Sequence, residues 1–438
     1  MPQPLKLVYL TSGAAGMFCG SCMHDNTLAR ALLKLGCDVQ LVPLYTPIRT
    51  DEESAAVDRV FLGGINVYLQ QKWSLFRRLP RWMTAALDRP WLIRYATSFG
   101  METQAKELGE LAVSVLKGDE GFQHAEVERL AQWLSADKPD VIVFSNMLTA
   151  GCVPAIKRRI QTTIVVTLQG DDIFLRDLPE PYQSRAFAEI RRLIPHVDGF
   201  IAHSAYYADF MSDYLGIPRQ KIRVVPLGLD TSDFAEPANS AARPSREHPT
   251  IGYLARLAPE KGLHVLTEAF LHLHQALRRT NVRLRIAGWL GEHNRKYVEE
   301  QFRTLREAGL SDKFEHVGEV DRRGKVEFLQ SIDLLCVPTT YREPKGLFVL
   351  EALAAGVPVV MPAHGAFPEL LARTGGGLLV PPENPITLAE QLATLLGDQD
   401  QLKELGRAGQ AAVHRDFTAQ RMAEQTLVAL QEIAAGES

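Results

Sequence analysis

The chain has 438 residues, 46% hydrophobic and 23% charged, with a formal net charge of −4. That length exceeds one ordinary core, so two α/β domains are expected, and the mild acidity excludes a global nucleic-acid binder. Five cysteines do not make a disulfide framework, and no run approaches the ~18 apolar residues of a membrane span, so a cytoplasmic protein is expected.

The N-terminus lacks the apolar run of a leader and passes straight into a strand, Lys6–Thr11. A loop of small residues, Ser12–Ser21, follows, then a helix placing Leu28, Ala31, Leu32 and Leu35 on one face. Gly36 ends that helix, and Val39–Leu44 reads as the second strand. Small residues allow a ligand close to the backbone, and Gly20 is the candidate contact in this loop. The glycines do not fall as G-x-G-x-x-G, no acid ends the second strand and no Walker A pattern is present, which excludes dinucleotide and P-loop sites. Cys19 and Cys22 form a lone C-x-x-C, read as small residues filling a tight loop rather than as a redox or metal pair.

Between residues 70 and 95, Trp73, Trp82 and Trp91 are interleaved with Lys72, Arg77, Arg78, Arg81, Arg89 and Arg94 against the lone acid Asp88. Such a mixture suits an anionic membrane surface. Pro80 and Pro90 break any long amphipathic helix, so a packed lid is the preferred reading and peripheral membrane contact the alternative. Helical patterns at Glu102–Leu116, Ala125–Leu134 and Cys152–Ile160 then alternate with strands Val141–Phe144, Ile164–Leu168 and Gly199–Ala202. Asp171 and Asp172 are expected to cap the next helix, and His203 to be a hydrogen-bonded strand-end histidine. A stretch rich in Ala, Pro, Ser and charge, Glu236–His248, breaks the periodicity as a tether does. The expected division is a first domain over 1–230, a linker over 231–248, a second domain over 249–415 and a final helix over 416–438.

The second half opens on the strand Thr250–Ala255, the turn Arg256–Gly262 and a helix with Leu263, Leu266, Phe270 and Leu273 inward. Arg256 and Lys261 flank that turn and can bracket a diphosphate, one as a planar fork and the other as a point charge. A buried strand, Asp333–Pro338, leads to a polar loop holding Glu343. Gly346 then opens a helix, Leu347–Ala355, that carries Glu351, and the strand Val357–Met361 follows. Ligands of open α/β sheets sit beyond the carboxyl ends of the strands, where helix N-termini favour anions. A carboxylate in that place suits hydroxyl pairs, because it can accept two O–H donors at once. Two such acids beside a phosphate-friendly turn describe a nucleotide-sugar. Asp398-Gln399-Asp400, among C-terminal helices, reads as solvated charge rather than a metal site.

Glu343 and Glu351 are separated by seven residues within Glu343-Pro344-Lys345-Gly346-Leu347 and Glu351-Ala352, ahead of Gly356-Val357-Pro358-Val359-Val360. This stretch resembles the retaining, GT-B-fold glycosyltransferases of family 4, glycosyl transferases group 1. Leu28-Ala29-Arg30-Ala31-Leu32 with Gly20 upstream is similar to the family's first loop and helix, with Cys19 replacing a glycine. Arg256–Gly262 is similar to its G-R-L-x-x-E-K-G turn, with Ala255 for the first glycine. The resemblance implies an α/β protein of two Rossmann-like doubly wound domains facing across a cleft. It implies metal-independent transfer of a hexose from a nucleotide-diphosphate sugar to an unidentified acceptor hydroxyl, with no cofactor. Glu351 would hold the ribose and Glu343 the hexose hydroxyls. Arg256 and Lys261, with the segment Lys345, Gly346, Leu347 and Phe348, would receive the leaving diphosphate, and the acceptor would bind near Gly20. Gln169 stands where many relatives carry His, and cannot serve as a proton carrier near neutral pH. A nucleotide-sugar epimerase, a phosphorylase and a transfer-deficient sugar-nucleotide-binding protein are the alternatives.

Overall fold

The computed structural model describes residues 4–13, 20–48, 50–57, 60–61, 105–234 and 248–436. Cys19, the Trp-rich segment 70–95 and most of the expected linker lie outside them. The chain forms two compact units, Met1–Pro226 with Ala419–Ser438, and Leu227–Thr418. The boundaries expected after 230 and 415 therefore move to 226 and 418. The reason is local: the Leu229 amide donates to the Phe417 carbonyl at 3.0 Å, and Leu229 bridges to Thr418, tying the 227–230 stretch to the second unit.

The first unit holds six parallel strands in the order β2-β1-β3-β4-β5-β6. They are β1 (Lys6–Thr11), β2 (Asp38–Pro43), β3 (Val141–Phe144), β4 (Thr163–Thr167), β5 (Gly199–Ala202) and β6 (Ile222–Val224). Parallel sheets are covered on both faces, which is why these strands are near-continuous apolar runs. Alternate residues nevertheless serve different cores. Val8 and Leu10 of β1 pack with Leu130, Leu134, Ile190 and Leu215, whereas Leu7 and Tyr9 pack with Leu28 and Leu32 of the first helix, Gly20–Lys34. The last helix, Ala419–Ala435, joins that second core through Met422, Ala423 and Leu430. Leu35, expected on the buried face of the first helix, is 38% exposed. The helix ends at Lys34, and Gly36 turns the chain at φ +86°.

The second unit is also six parallel strands, in the order β12-β11-β10-β7-β8-β9. These are β7 (Thr250–Leu254), β8 (Arg283–Ala287), β9 (Phe314–Gly318), β10 (Leu334–Cys336), β11 (Val359–Pro362) and β12 (Gly377–Val380). The strand expected over Asp333–Pro338 pairs only at its centre, because Asp333 is used differently: its carboxylate accepts the Thr250 amide at 2.7 Å. Each sheet reverses its direction of growth once, between β1 and β3 and between β7 and β10. At such a switch point the outgoing loops diverge and leave a crevice beyond the strand ends. In the second unit those loops carry Arg256 and Lys261, after β7, and Glu343, after β10. Among the described residues no helix is long and apolar enough to cross a membrane.

Candidate active site of the second unit

Two glycines let the switch-point loops meet. Gly262 sits at φ +74°, and a Cβ there would lie 1.8 Å from the Pro338 carbonyl oxygen, so the turn after β7 presses directly on the end of β10. The Thr340 amide donates to the Glu260 carbonyl at 3.0 Å, stitching the same two loops. Gly365, at φ +61°, would place a Cβ 2.6 Å from the Glu343 carbonyl oxygen and 2.7 Å from its nitrogen. The neighbouring Ala366 amide donates to that carbonyl at 2.8 Å. His364 donates through Nε2 to the Thr339 carbonyl at 2.9 Å, and burial lowers its pKa. It clamps the loop.

Three side chains converge in this frame. Lys261 Nζ donates to the Tyr341 hydroxyl at 2.6 Å and to Glu343 Oε2 at 2.9 Å, and the Tyr341 hydroxyl donates to the same carboxylate oxygen. Glu343 is only 5% exposed. Burial opposes its charge, but Lys261, Tyr341 and the Gly346 amide outweigh it and hold the carboxyl down at about 2. Burial first, and then the Glu343 charge, push the Tyr341 hydroxyl well above its ordinary range. The Lys261 ammonium lies 4.7 Å from the Tyr341 ring centre and 5.4 Å from that of Phe348, within cation–π range. An ammonium has three donors, and two are spent here, so the third can meet an incoming anion. Glu343 Oε1 faces the Lys345 and Gly346 amides at 3.4 Å. Gly346, at φ +74°, precedes the helix Leu347–Ala354; its carbonyl accepts the Val349 and Leu350 amides, so the first-turn donors outside the helix's own ladder are those of Leu347 and Phe348.

The other expected residues are held elsewhere in the unit. Glu351 is paired with Lys325 at 2.6 Å, on the helix Arg322–Gln330, with both side chains largely buried. Arg256 pairs with Glu260 four residues on in the same turn, and its side chain is 43% exposed. Thus Glu343 and Lys261 are brought together, while Glu351 and Arg256 each have another partner. Tyr341 and Lys325 were not singled out from the sequence, whereas Phe348 was, and its ring centre lies 5.4 Å from the Lys261 ammonium. Tyr341 had a usable signal, since it stands two residues before Glu343 in an irregular loop; Lys325 had none.

In the first unit Gly20 lies in the helix Gly20–Lys34, and among the described residues no atom beyond its chain neighbours and its own helix backbone lies within 4 Å of where its Cβ would project. Asp25 is fully buried there, accepting from Thr11 Oγ1 at 2.7 Å and Gln169 Nε2 at 2.8 Å, with His24 Nδ1 at 3.1 Å. Gln169 therefore works as an anchor. Asp171 and Asp172 do not take the cap position expected of them, which Gly170 occupies. Asp171 accepts from the amides of Met147 at 2.6 Å and Gln169 at 3.1 Å, and burial pushes its carboxyl up to about 6. Asp172 accepts from the Tyr207 hydroxyl at 2.7 Å. His203 is hydrogen bonded to the Val225 carbonyl at 2.9 Å. Asp398 caps the following helix by accepting from the Gln401 amide.

Two all-parallel, doubly wound units with loops gathered at a switch point define a protein of the GT-B class of folds. Sucrose-phosphate synthase from Thermosynechococcus elongatus matches it with a TM-score of 0.69 at 18% identity, over 99% of this chain and 100% of that one. Anabaena HepE, solved in complex with UDP-glucose, matches at 0.64 and 17% identity, over 98% and 100%. The model of Glycosyltransferase Family 4 matches residues 94–233, and that of Glycosyl transferases group 1 matches residues 237–412. A D-inositol 3-phosphate glycosyltransferase from Nocardia farcinica is 28% identical over 52% of this chain and 51% of its own length. A phosphatidyl-myo-inositol mannosyltransferase from Mycobacterium leprae is 31% identical over 44% and 48%. The chain spans about half the length of these curated relatives. It belongs to glycosyltransferase family 4, the group 1 glycosyl transferases.

Proposed function

We propose that the protein transfers a hexose from a nucleotide-diphosphate sugar to an acceptor hydroxyl with retention of configuration. The observation that carries this reading is the buried Lys261–Tyr341–Glu343 cluster at the switch point, beside the start of the helix Leu347–Ala354. A fold relative solved with UDP-glucose, and the catalytic domain of Arabidopsis thaliana starch synthase IV solved with ADP and acarbose, support a nucleotide-sugar donor.

In this reading Glu351 accepts the ribose hydroxyls. Glu343 takes hexose hydroxyls on Oε1, the oxygen that Lys261 leaves open, and fixes the ring for attack. As the bond from the anomeric carbon to the diphosphate breaks, the new charge meets Lys261 and the Leu347 and Phe348 amides, which are preorganised, and Arg256, which turns from Glu260 to reach it. The departing phosphate oxygen takes the acceptor proton, and the acceptor oxygen bonds to the anomeric carbon on the face just vacated. No metal is required in this scheme. Sugar transfer to water or phosphate without an acceptor would instead favour an epimerase or phosphorylase.

A thermal-shift panel of UDP-, GDP- and ADP-sugars tests the reading, because a ligand at ~100 times its dissociation constant adds about 2.7 kcal/mol. Glu351→Ala flattens the response to the best donor, and Glu343→Ala abolishes transfer while nucleotide binding persists. A protein indifferent to every donor, or variants that transfer like the parent, would refute it.

A further inference from the structure

We infer that Lys325 is a positioning residue for nucleotide recognition, acting by pinning Glu351 for the ribose diol; this rests on the donor reading above. Lys325 is the fourth residue of the helix that follows β9 and Glu351 the fifth of the helix that follows β10, helices that both start at the carboxyl end of the sheet. Nζ and Oε1 are 2.6 Å apart, and the two side chains are only 14% and 13% exposed. The helix bearing Lys325 is itself fixed. Asp321 caps it by accepting the Gly324 amide at 2.8 Å, and Arg322 donates to the Asp230 carbonyl at 3.1 Å and pairs with Asp233.

The pair does not block the role proposed for Glu351. A carboxylate offers about four acceptor sites, so an ammonium partner does not by itself exclude the hydroxyls of a diol. What the ammonium contributes is order. Glu351 is held before the nucleotide arrives, so its rotamer freedom is not lost on binding, a saving of about three- to tenfold in affinity.

The test is calorimetric titration with UDP, GDP and ADP, followed by the 2′,3′-dideoxy counterpart of whichever binds best. Lys325→Met should weaken the ribonucleoside diphosphate about three- to tenfold and leave the dideoxy form unchanged, since the lysine acts only through the diol. Lys325→Arg should recover most of the loss. Thermal unfolding of the free variants checks that they fold, and Lys325→Gln replaces the methionine variant if that one does not. A variant that binds the ribo form as the parent does, or loses both forms equally, overturns the inference and leaves the donor reading standing. A parent protein that binds none of the three diphosphates removes the donor reading and this inference with it.

Discussion

Replacing Lys261 with methionine preserves the length of the side chain and removes its charge, which isolates what the ammonium does for Glu343. Glu343 is 5% exposed, and its Oε2 receives Lys261 at 2.9 Å together with the Tyr341 hydroxyl. After the substitution only Tyr341 and two amides at 3.4 Å remain, and the amide contacts are long for hydrogen bonds. A buried charge stripped of its partner costs about 3–5 kcal/mol, and the surviving Tyr341 bond puts the expectation at about 3 kcal/mol. With a urea slope of roughly 2 kcal/mol per molar, the unfolding midpoint at pH 7 should fall by roughly 1.5 M. The pH dependence has a definite sign. Glu343 is depressed from 4.5 to about 2, so its stabilisation is complete above 4.5 and is lost as the pH falls through about 2. Without Lys261, burial is no longer outweighed, the carboxyl titrates higher, and the deficit against the parent should shrink as the pH drops towards about 4. Lys261→Met combined with Glu343→Gln removes the stranded charge and should recover most of the loss. A single variant within about 0.3 M of the parent midpoint, or a double variant no more stable than the single, would refute the reasoning.

Arg256→Ala should behave in the opposite way. Its side chain is 43% exposed and among the described residues it pairs with Glu260 alone, so stability should change by less than ~1 kcal/mol in the same urea titration, while the initial rate of sugar transfer falls. Gly365→Ala forces a Cβ to within 2.6 Å of the Glu343 backbone at φ +61°, and both clashing atoms are main chain. It should cost about 2 kcal/mol or more, read by calorimetry as a melting temperature lower by roughly 4–8 °C; an unchanged transition would show that the loop yields.

The elements themselves were largely written in the sequence. Val141–Phe144 and Gly199–Ala202 are strands as read, because a strand buried on both faces must be a short apolar run whatever its neighbours. Glu343 and Lys261 could be singled out for a similar reason: each sits in a polar turn ahead of a helix, in a place that turn chemistry marks within a few residues, and the structure brings the two together. Elements misread at their ends, such as Leu35 and Asp333, were misread where a single residue decides between helix and turn or between strand and side-chain anchor. The partners of the site residues could not be read at all. Lys261 and Glu343 are 82 positions apart and meet because β10 is hydrogen bonded to β7, although β8 and β9 intervene in the chain. Lys325 reaches Glu351 from a helix on the far side of β10 in sequence, with no spacing to announce it. Periodicity, capping and turn preference act over a few residues, so the chain alone determined its strands, its helices and the positions of its polar loops. Sheet order is set by hydrogen bonding and burial between segments remote from one another, and only that order decided which lysine each glutamate would find.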